Sequence, residues 1–235
     1  MTEKFILTQL PLSVKLRDDA SFDNFFSGNN AQFIDYLKKN IHTRSELAIY
    51  LYGDEGVGKT HLLQACCRYQ SIDSQTSFYL PLEKQQQFTP EIFYDLEHLS
   101  LVCIDNISAI AGKKNWEEGL FYFYNRTLIT NTRLIITDRS PVQELPIQLK
   151  DLQSRLIALT ALEIQGLSDN QKIHVLQMRA HARGMELGEE VGQFLVRRCQ
   201  RSMRNLFIIL DQLDLASLSA QRKLTIPFVK AVLGI

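Results

Sequence analysis

Short apolar runs recur along the first two thirds of the chain, at residues 47–52, 77–82, 99–104, 133–137 and 159–164. Between them apolar side chains return every three to four positions, which predicts helices over 59–69, 90–97, 115–129 and 148–156. An earlier helix, 30–40, places Phe33, Ile34 and Leu37 on one face. A strand that is apolar at nearly every position is buried on both sides, and strands of this kind alternating with helices form a parallel sheet covered on both faces. Ligands of such sheets bind at the carboxyl ends of the strands. The expected fold class is therefore α/β.

Beyond Gly166 the strand signal stops. Ser168-Asp169-Asn170-Gln171 has the form of a capping box, with the serine hydroxyl and the glutamine side chain closing each other's open backbone N–H groups. It opens a helix that should end near Gly184. Further helical periods cover 189–200 and 202–219, and Thr225-Ile226-Pro227 can start a last helix toward Leu233. At the other end, residues 7–14 are apolar but short and interrupted by Pro11, and charged positions follow at 15–19. The expected division is a flexible tail, 1–20; an α/β nucleotide-binding domain, 21–165; and a small all-α lid, 166–235.

Composition narrows the function. Lysine plus arginine equals aspartate plus glutamate at 26 each in 235 residues, so there is no basic excess to hold nucleic acid nonspecifically. No apolar run approaches a membrane span, and residues 1–9 do not resemble a secretory leader, so a soluble cytoplasmic chain is expected. Cys66, Cys67, Cys103 and Cys199 show no C-x-x-C pairing and read as reduced packing residues rather than zinc ligands.

The chemistry concentrates at Gly53-Asp54-Glu55-Gly56-Val57-Gly58-Lys59-Thr60, which meets the phosphate-loop pattern G-x-x-x-x-G-K-[ST] between a strand run and a helical run. The glycines let backbone N–H groups curl toward phosphate oxygens, and the following helix turns its positive end to the same anion. Lys59 would reach the β and γ phosphates of a nucleotide, and Thr60 would ligate Mg2+. The run 101–104 ends in Asp105, where P-loop proteins place the carboxylate that holds magnesium. The next residue is Asn106, where hydrolytic relatives of this type put a second acid to position water; an asparagine amide accepts no proton. Slow turnover of the chain's own nucleotide follows. Thr137, at the end of another strand run, is placed to sense the γ phosphate.

Other segments carry a resemblance. Ser21-Phe22-Asp23-Asn24-Phe25-Phe26-Ser27-Gly28, Leu152-Gln153-Ser154-Arg155-Leu156, Ser202-Met203-Arg204-Asn205-Leu206, the 99–107 strand and the 221–230 end together resemble the AAA+ family. Within it they resemble the bacterial replication initiator DnaA and, more closely, the short Hda-type regulators of that initiator. The resemblance implies an AAA+ P-loop core with a helical lid, ADP or ATP with Mg2+ as ligands, and Phe22 beside the nucleotide base. It implies that Arg155 is an arginine finger acting in trans, and that Arg204 is a second sensor over the chain's own phosphates. Gln9-Leu10-Pro11-Leu12-Ser13-Val14 is similar to the peptides that dock on the DNA polymerase sliding clamp (the beta subunit), with Gln9, Leu10, Leu12 and Val14 as contacts. Implied partners are that clamp, DnaA and a possible second copy, with DNA reached mainly through the clamp. No DNA-binding domain of the initiator type is expected after residue 235. The function so implied is a nucleotide-bound adaptor that stimulates ATP hydrolysis by DnaA, with weak ATPase activity of its own. The alternatives are a self-contained AAA+ ATPase, such as a helicase loader or remodeller, and a nucleoside monophosphate kinase.

Overall fold

A computed structural model describes residues 20–43, 45–72, 74–199, 202–220 and 224–235, which form two compact units. The first takes the described residues through Phe25, then Gln32–Tyr52 and Lys59–Glu163. Its five strands are β1 Ala48–Tyr52, β2 Ser77–Pro81, β3 Leu101–Asp105, β4 Arg133–Asp138 and β5 Thr160–Glu163, in the order β2-β3-β4-β1-β5 with every neighbour parallel. β3 and β4 are buried at every position, their apolar centres as expected and also the polar Asp105, Arg133, Thr137 and Asp138 at their ends. The register sets Pro81 beside Asp105 and Ile104 beside Ile136, so Asp105 and Thr137 leave the sheet at neighbouring carboxyl ends.

The helices of this unit are α1 Ala31–Thr43, α2 Lys59–Ile72, α3 Lys114–Thr130 and α4 Lys150–Ile157. One side of the sheet packs Tyr50, Val102, Ile104 and Ile136 against Phe93, Leu120 and Phe123, with Leu152 and Leu156 of α4 in the same cluster. The helix expected over 90–97 is instead two 3-10 turns, Pro90–Phe93 and Leu96–His98. They are broken by extended Tyr94 and by Asp95, whose φ of 66° is left-handed. Phe93, stacked on Phe123 at 5.6 Å, and Leu96 are both buried, so two tertiary anchors override a weak helical period. A further 3-10 segment, Leu82–Gln87, leaves β2 where no element is expected from the sequence.

The second unit comprises Phe26–Ala31, Gly53–Gly58 and Ile164–Ile235. It contains α5 Asp169–His181, α6 Glu189–Arg198, α7 Met203–Ala220 and α8 Ile226–Leu233, around Leu176, Leu195, Leu206, Leu210, Leu213 and Val229. The capping box at Ser168 and Gln171 forms in both directions, and the Thr225 hydroxyl accepts from the Phe228 amide with Pro227 in the first turn. Asn30 binds Gln165 by a backbone-like pair: its Nδ2 donates to the carbonyl at 3.0 Å and its Oδ1 accepts the amide at 2.9 Å. All four cysteines are free thiols, three of them buried, in keeping with a packing role. No helix among the described residues is long and apolar enough to cross a membrane.

Candidate nucleotide site

The phosphate-loop segment departs from β1 through backbone that favours glycine: φ is 151° at Gly53, 82° at Gly56 and 104° at Gly58. A Cβ on Gly53 would lie 2.5 Å from the Ile164 carbonyl oxygen, and one on Gly56 would lie 3.3 Å from the Ser202 Cβ. The loop is therefore pressed against the residues that open α7. There the Ser202 hydroxyl accepts the Asn205 amide at 3.3 Å, and Arg204, exposed, stands at the second position of the helix. The loop runs directly into α2, whose first turn begins at Lys59 and carries no acidic side chain, so the helix start favours an anion.

Asp105 is buried at the end of β3 and accepts three hydroxyl hydrogens. Thr60 Oγ1 donates to its Oδ2 at 2.6 Å, Tyr79 Oη to the same oxygen at 2.7 Å, and Thr137 Oγ1 to Oδ1 at 2.6 Å. Burial, then the Asp105 charge, pushes the Tyr79 hydroxyl far above its ordinary range, so it remains a donor at any working pH. Thr60 and Asp105 supply only oxygen, the donor set of a hard cation. Magnesium is usually held by one or two carboxylates, with phosphate and water completing its shell.

Asn106 follows in left-handed backbone, φ 62°. Its Nδ2 donates to Glu83 Oε1 at 3.0 Å, and its Oδ1 accepts the Ser108 hydroxyl at 2.9 Å. The position without an acid thus has one as its neighbour, brought from the segment after β2. Asp138 is committed to backbone: it accepts the Ser108 amide at 2.6 Å and the Arg139 amide at 2.7 Å. Thr137, expected at a γ phosphate, is fully buried and engages Asp105. Phe22 is buried edge-on against Tyr69 at 5.5 Å, with the Lys38 ammonium 5.2 Å from its ring. His61, unmarked in the sequence, pins this segment to the start of α2 by a 2.8 Å contact with the Ser21 carbonyl and by packing on Phe25. Tyr79 and Glu83 were likewise missed; both sit on or just after β2, and only the pairing of β2 with β3 brings them to Asp105 and Asn106.

Arg155 is exposed on α4 between buried Leu152 and Leu156. Its charge acts on the Tyr124 hydroxyl of α3, partly offsetting the upward push of burial there. Gln9, Leu10, Leu12 and Val14 lie outside the described residues.

The profile of the bacterial DnaA ATPase domain matches residues 16–165, and that of the Hda lid domain matches residues 169–233. Among solved structures, domain III of the Thermotoga maritima replication initiation protein DnaA is 20% identical with a TM-score of 0.80, over 94% of this chain and 98% of that one. AMPPCP-bound DnaA from Aquifex aeolicus is 20% identical with a TM-score of 0.75, over 87% and 68%. The Thermotoga maritima RuvB Holliday junction branch migration motor is 14% identical with a TM-score of 0.70, over 92% and 71%. The five-stranded parallel sheet with its C-terminal helices is the AAA+ core and lid expected from the sequence.

Proposed function

Starting from the fact that this chain belongs to the bacterial DnaA ATPase-domain family of replication-initiation AAA+ proteins and carries an Hda-type lid, we propose that it is a nucleotide-bound adaptor acting on DnaA. It holds ADP or ATP through the 53–60 loop, docks by residues 9–14 on the DNA polymerase sliding clamp, and lends Arg155 to ATP bound by DnaA. Hydrolysis there removes the active initiator and prevents re-initiation of replication. Adenine nucleotide as ligand is supported by the AMPPCP bound to the Aquifex aeolicus relative.

Within its own site, backbone N–H groups of the loop and the first turn of α2 receive phosphate oxygens, and Lys59 neutralises their charge. Thr60 and Asp105 would hold Mg2+, which shields phosphate charge when bound. Arg204 at the start of α7 adds a guanidinium to the same ligand. Asn106 contributes no base, so the bound nucleotide acts as a structural ligand. The observation that carries the reading is the contrast between Asn106 and Arg155. The chain lacks the second acid of a hydrolytic site, yet it holds a guanidinium in solvent on a helix anchored by two fully buried leucines.

An arginine finger accelerates phosphoryl transfer by about 10³ to 10⁵. The test loads DnaA with labelled ATP, adds clamp on DNA and this protein, and omits each component in turn. Arg155→Ala should keep clamp and nucleotide binding while losing nearly all stimulation; undiminished stimulation removes the mechanism. One observation favours a second reading, a self-contained ATPase: Glu83 places a carboxylate against Asn106. Steady-state turnover by the purified protein, abolished by Glu83→Gln, would establish that reading instead.

A further inference from the structure

Glu117 lies in the first turn of α3 and is 1% exposed. A carboxylate so buried survives only where its oxygens are satisfied. Here they are satisfied by backbone alone. Oε1 accepts the Gly112 amide at 2.6 Å and shares the Gln148 amide with Oε2 at 3.1 Å, and Oε2 also accepts the Leu149 amide at 2.7 Å. Leu149 is the N-cap of α4, and its carbonyl takes the Gln153 amide at 3.0 Å in the first bond of that helix. No side chain caps α4 at this position, so the carboxylate of another helix does so and also lends the favourable charge for a helix N-terminus.

Further along, the two helices pack through apolar side chains: Leu120, Phe123 and Tyr124 of α3 share a buried cluster with Leu152 and Leu156 of α4. Tyr124 of α3 sits close enough to Arg155 of α4 for the guanidinium to act on its hydroxyl. α4 is thus held to α3 at its start by the Glu117 carboxylate and along its length by apolar packing.

We propose that Glu117 is a positioning residue for Arg155: its buried carboxylate fixes the origin and direction of α4, and so the place where the guanidinium meets a partner's nucleotide. α4 is eight residues long, too short to hold its own course, and the two buried leucines fix which face it turns inward but not its origin along α3. A displacement of about 1 Å at a catalytic group costs on the order of 10²-fold in rate. The inference rests on the finger role assigned to Arg155 above.

The experiment uses full-length protein, ATP-loaded DnaA and clamp on DNA, and measures stimulated hydrolysis against protein concentration for wild type, Glu117→Gln, Arg155→Lys, the double variant and Arg155→Ala. Glu117→Gln keeps the shape but turns an NH2 toward backbone donors. The expected result is a fall of about tenfold or more in the maximal stimulated rate, with the half-saturating concentration changed by less than about twofold. Lysine lacks the planar fork whose aim Glu117 sets, so Glu117→Gln should cost much less in the Arg155→Lys background. A full maximal rate, a change confined to the half-saturating concentration, or a multiplicative loss in the double variant overturns the proposal. Undiminished stimulation by Arg155→Ala instead overturns the finger role itself. Where Glu117→Gln does not fold, Leu149→Pro removes one donor at a φ of −76° that proline accepts, and the same outcomes decide.

Discussion

At the residue scale, Asp105 accepts three hydroxyl hydrogens, and under the proposed function it is also the carboxylate that would hold magnesium. With both oxygens engaged by Thr60, Tyr79 and Thr137, the carboxylate orders the carboxyl ends of β2, β3 and β4 as well as any cation. Asp105→Asn retains one acceptor oxygen and turns an NH2 toward at least one of those donors, leaving a buried polar group unsatisfied at a cost of about 1–3 kcal/mol. Tyr79→Phe removes one donor and leaves the carboxylate two others, so it should cost about 1 kcal/mol or less. Urea unfolding of the two variants measures the difference; equal stabilities would mean that the cluster is not held by the carboxylate. Nucleotide titrations with and without Mg2+ should show the magnesium dependence lost in Asp105→Asn alone. The place of Asp105 at the end of β3 was legible from the sequence, because an apolar run closing in an acid marks the end of a buried strand. Its tyrosine partner was not, because Tyr79 is 26 positions away and reaches it only across a strand pairing that no local pattern specifies.

At the scale of elements, the helix signals that proved most exact carry their own chemistry. The Ser168–Gln171 box fixes the start of α5 at Asp169, and Thr225 with Pro227 fixes α8. Ser168→Ala leaves the Gln171 amide without its acceptor and should lower stability by about 1 kcal/mol, read as an earlier urea midpoint with an unchanged slope. No loss would mean that water caps the helix equally well. Five strands were foreseen and five form, with ends displaced by one or two residues. The segment 90–97 failed because its shape is decided by Phe93 stacking on Phe123, a contact between residues thirty positions apart. The order β2-β3-β4-β1-β5 was equally hidden, since alternation with helices dictates parallel neighbours but not which strands become neighbours. That order places Glu83 against Asn106, the contact that bears most on the choice between the proposed adaptor and a self-contained ATPase.

For the molecule as a whole, the equal numbers of acids and bases conceal a set of groups that must stay uncharged in the folded state. Burial raises the thiols of Cys66 and Cys103 well above their ordinary value of 9.0, and it raises the hydroxyls of Tyr50 and Tyr79 far above 10.0. A raised folded value means that the native chain keeps its proton where the unfolded chain has lost it. The stability these groups confer is therefore complete below the unfolded values and is lost as pH rises past them. The Cys66 and Cys103 thiols should each remove about 1.4 kcal/mol per pH unit once the unfolded chain ionises. Stability should be level with respect to these groups from pH 7 to about pH 8.5, fall above pH 9 as the thiols titrate, and steepen near pH 10 as the tyrosines join. Urea midpoints taken at pH 7, 9 and 10.5 under reducing conditions would trace the curve. Cys103→Ala removes one proton from the difference between the two states, so its alkaline slope should be shallower by about one proton, whatever the substitution costs at neutral pH. A curve level through pH 10.5 would mean that these thiols and hydroxyls ionise as freely in the folded chain as in water. The packing of β3 against α2, which buries Cys103, Cys66 and Cys67, would then have to open without unfolding.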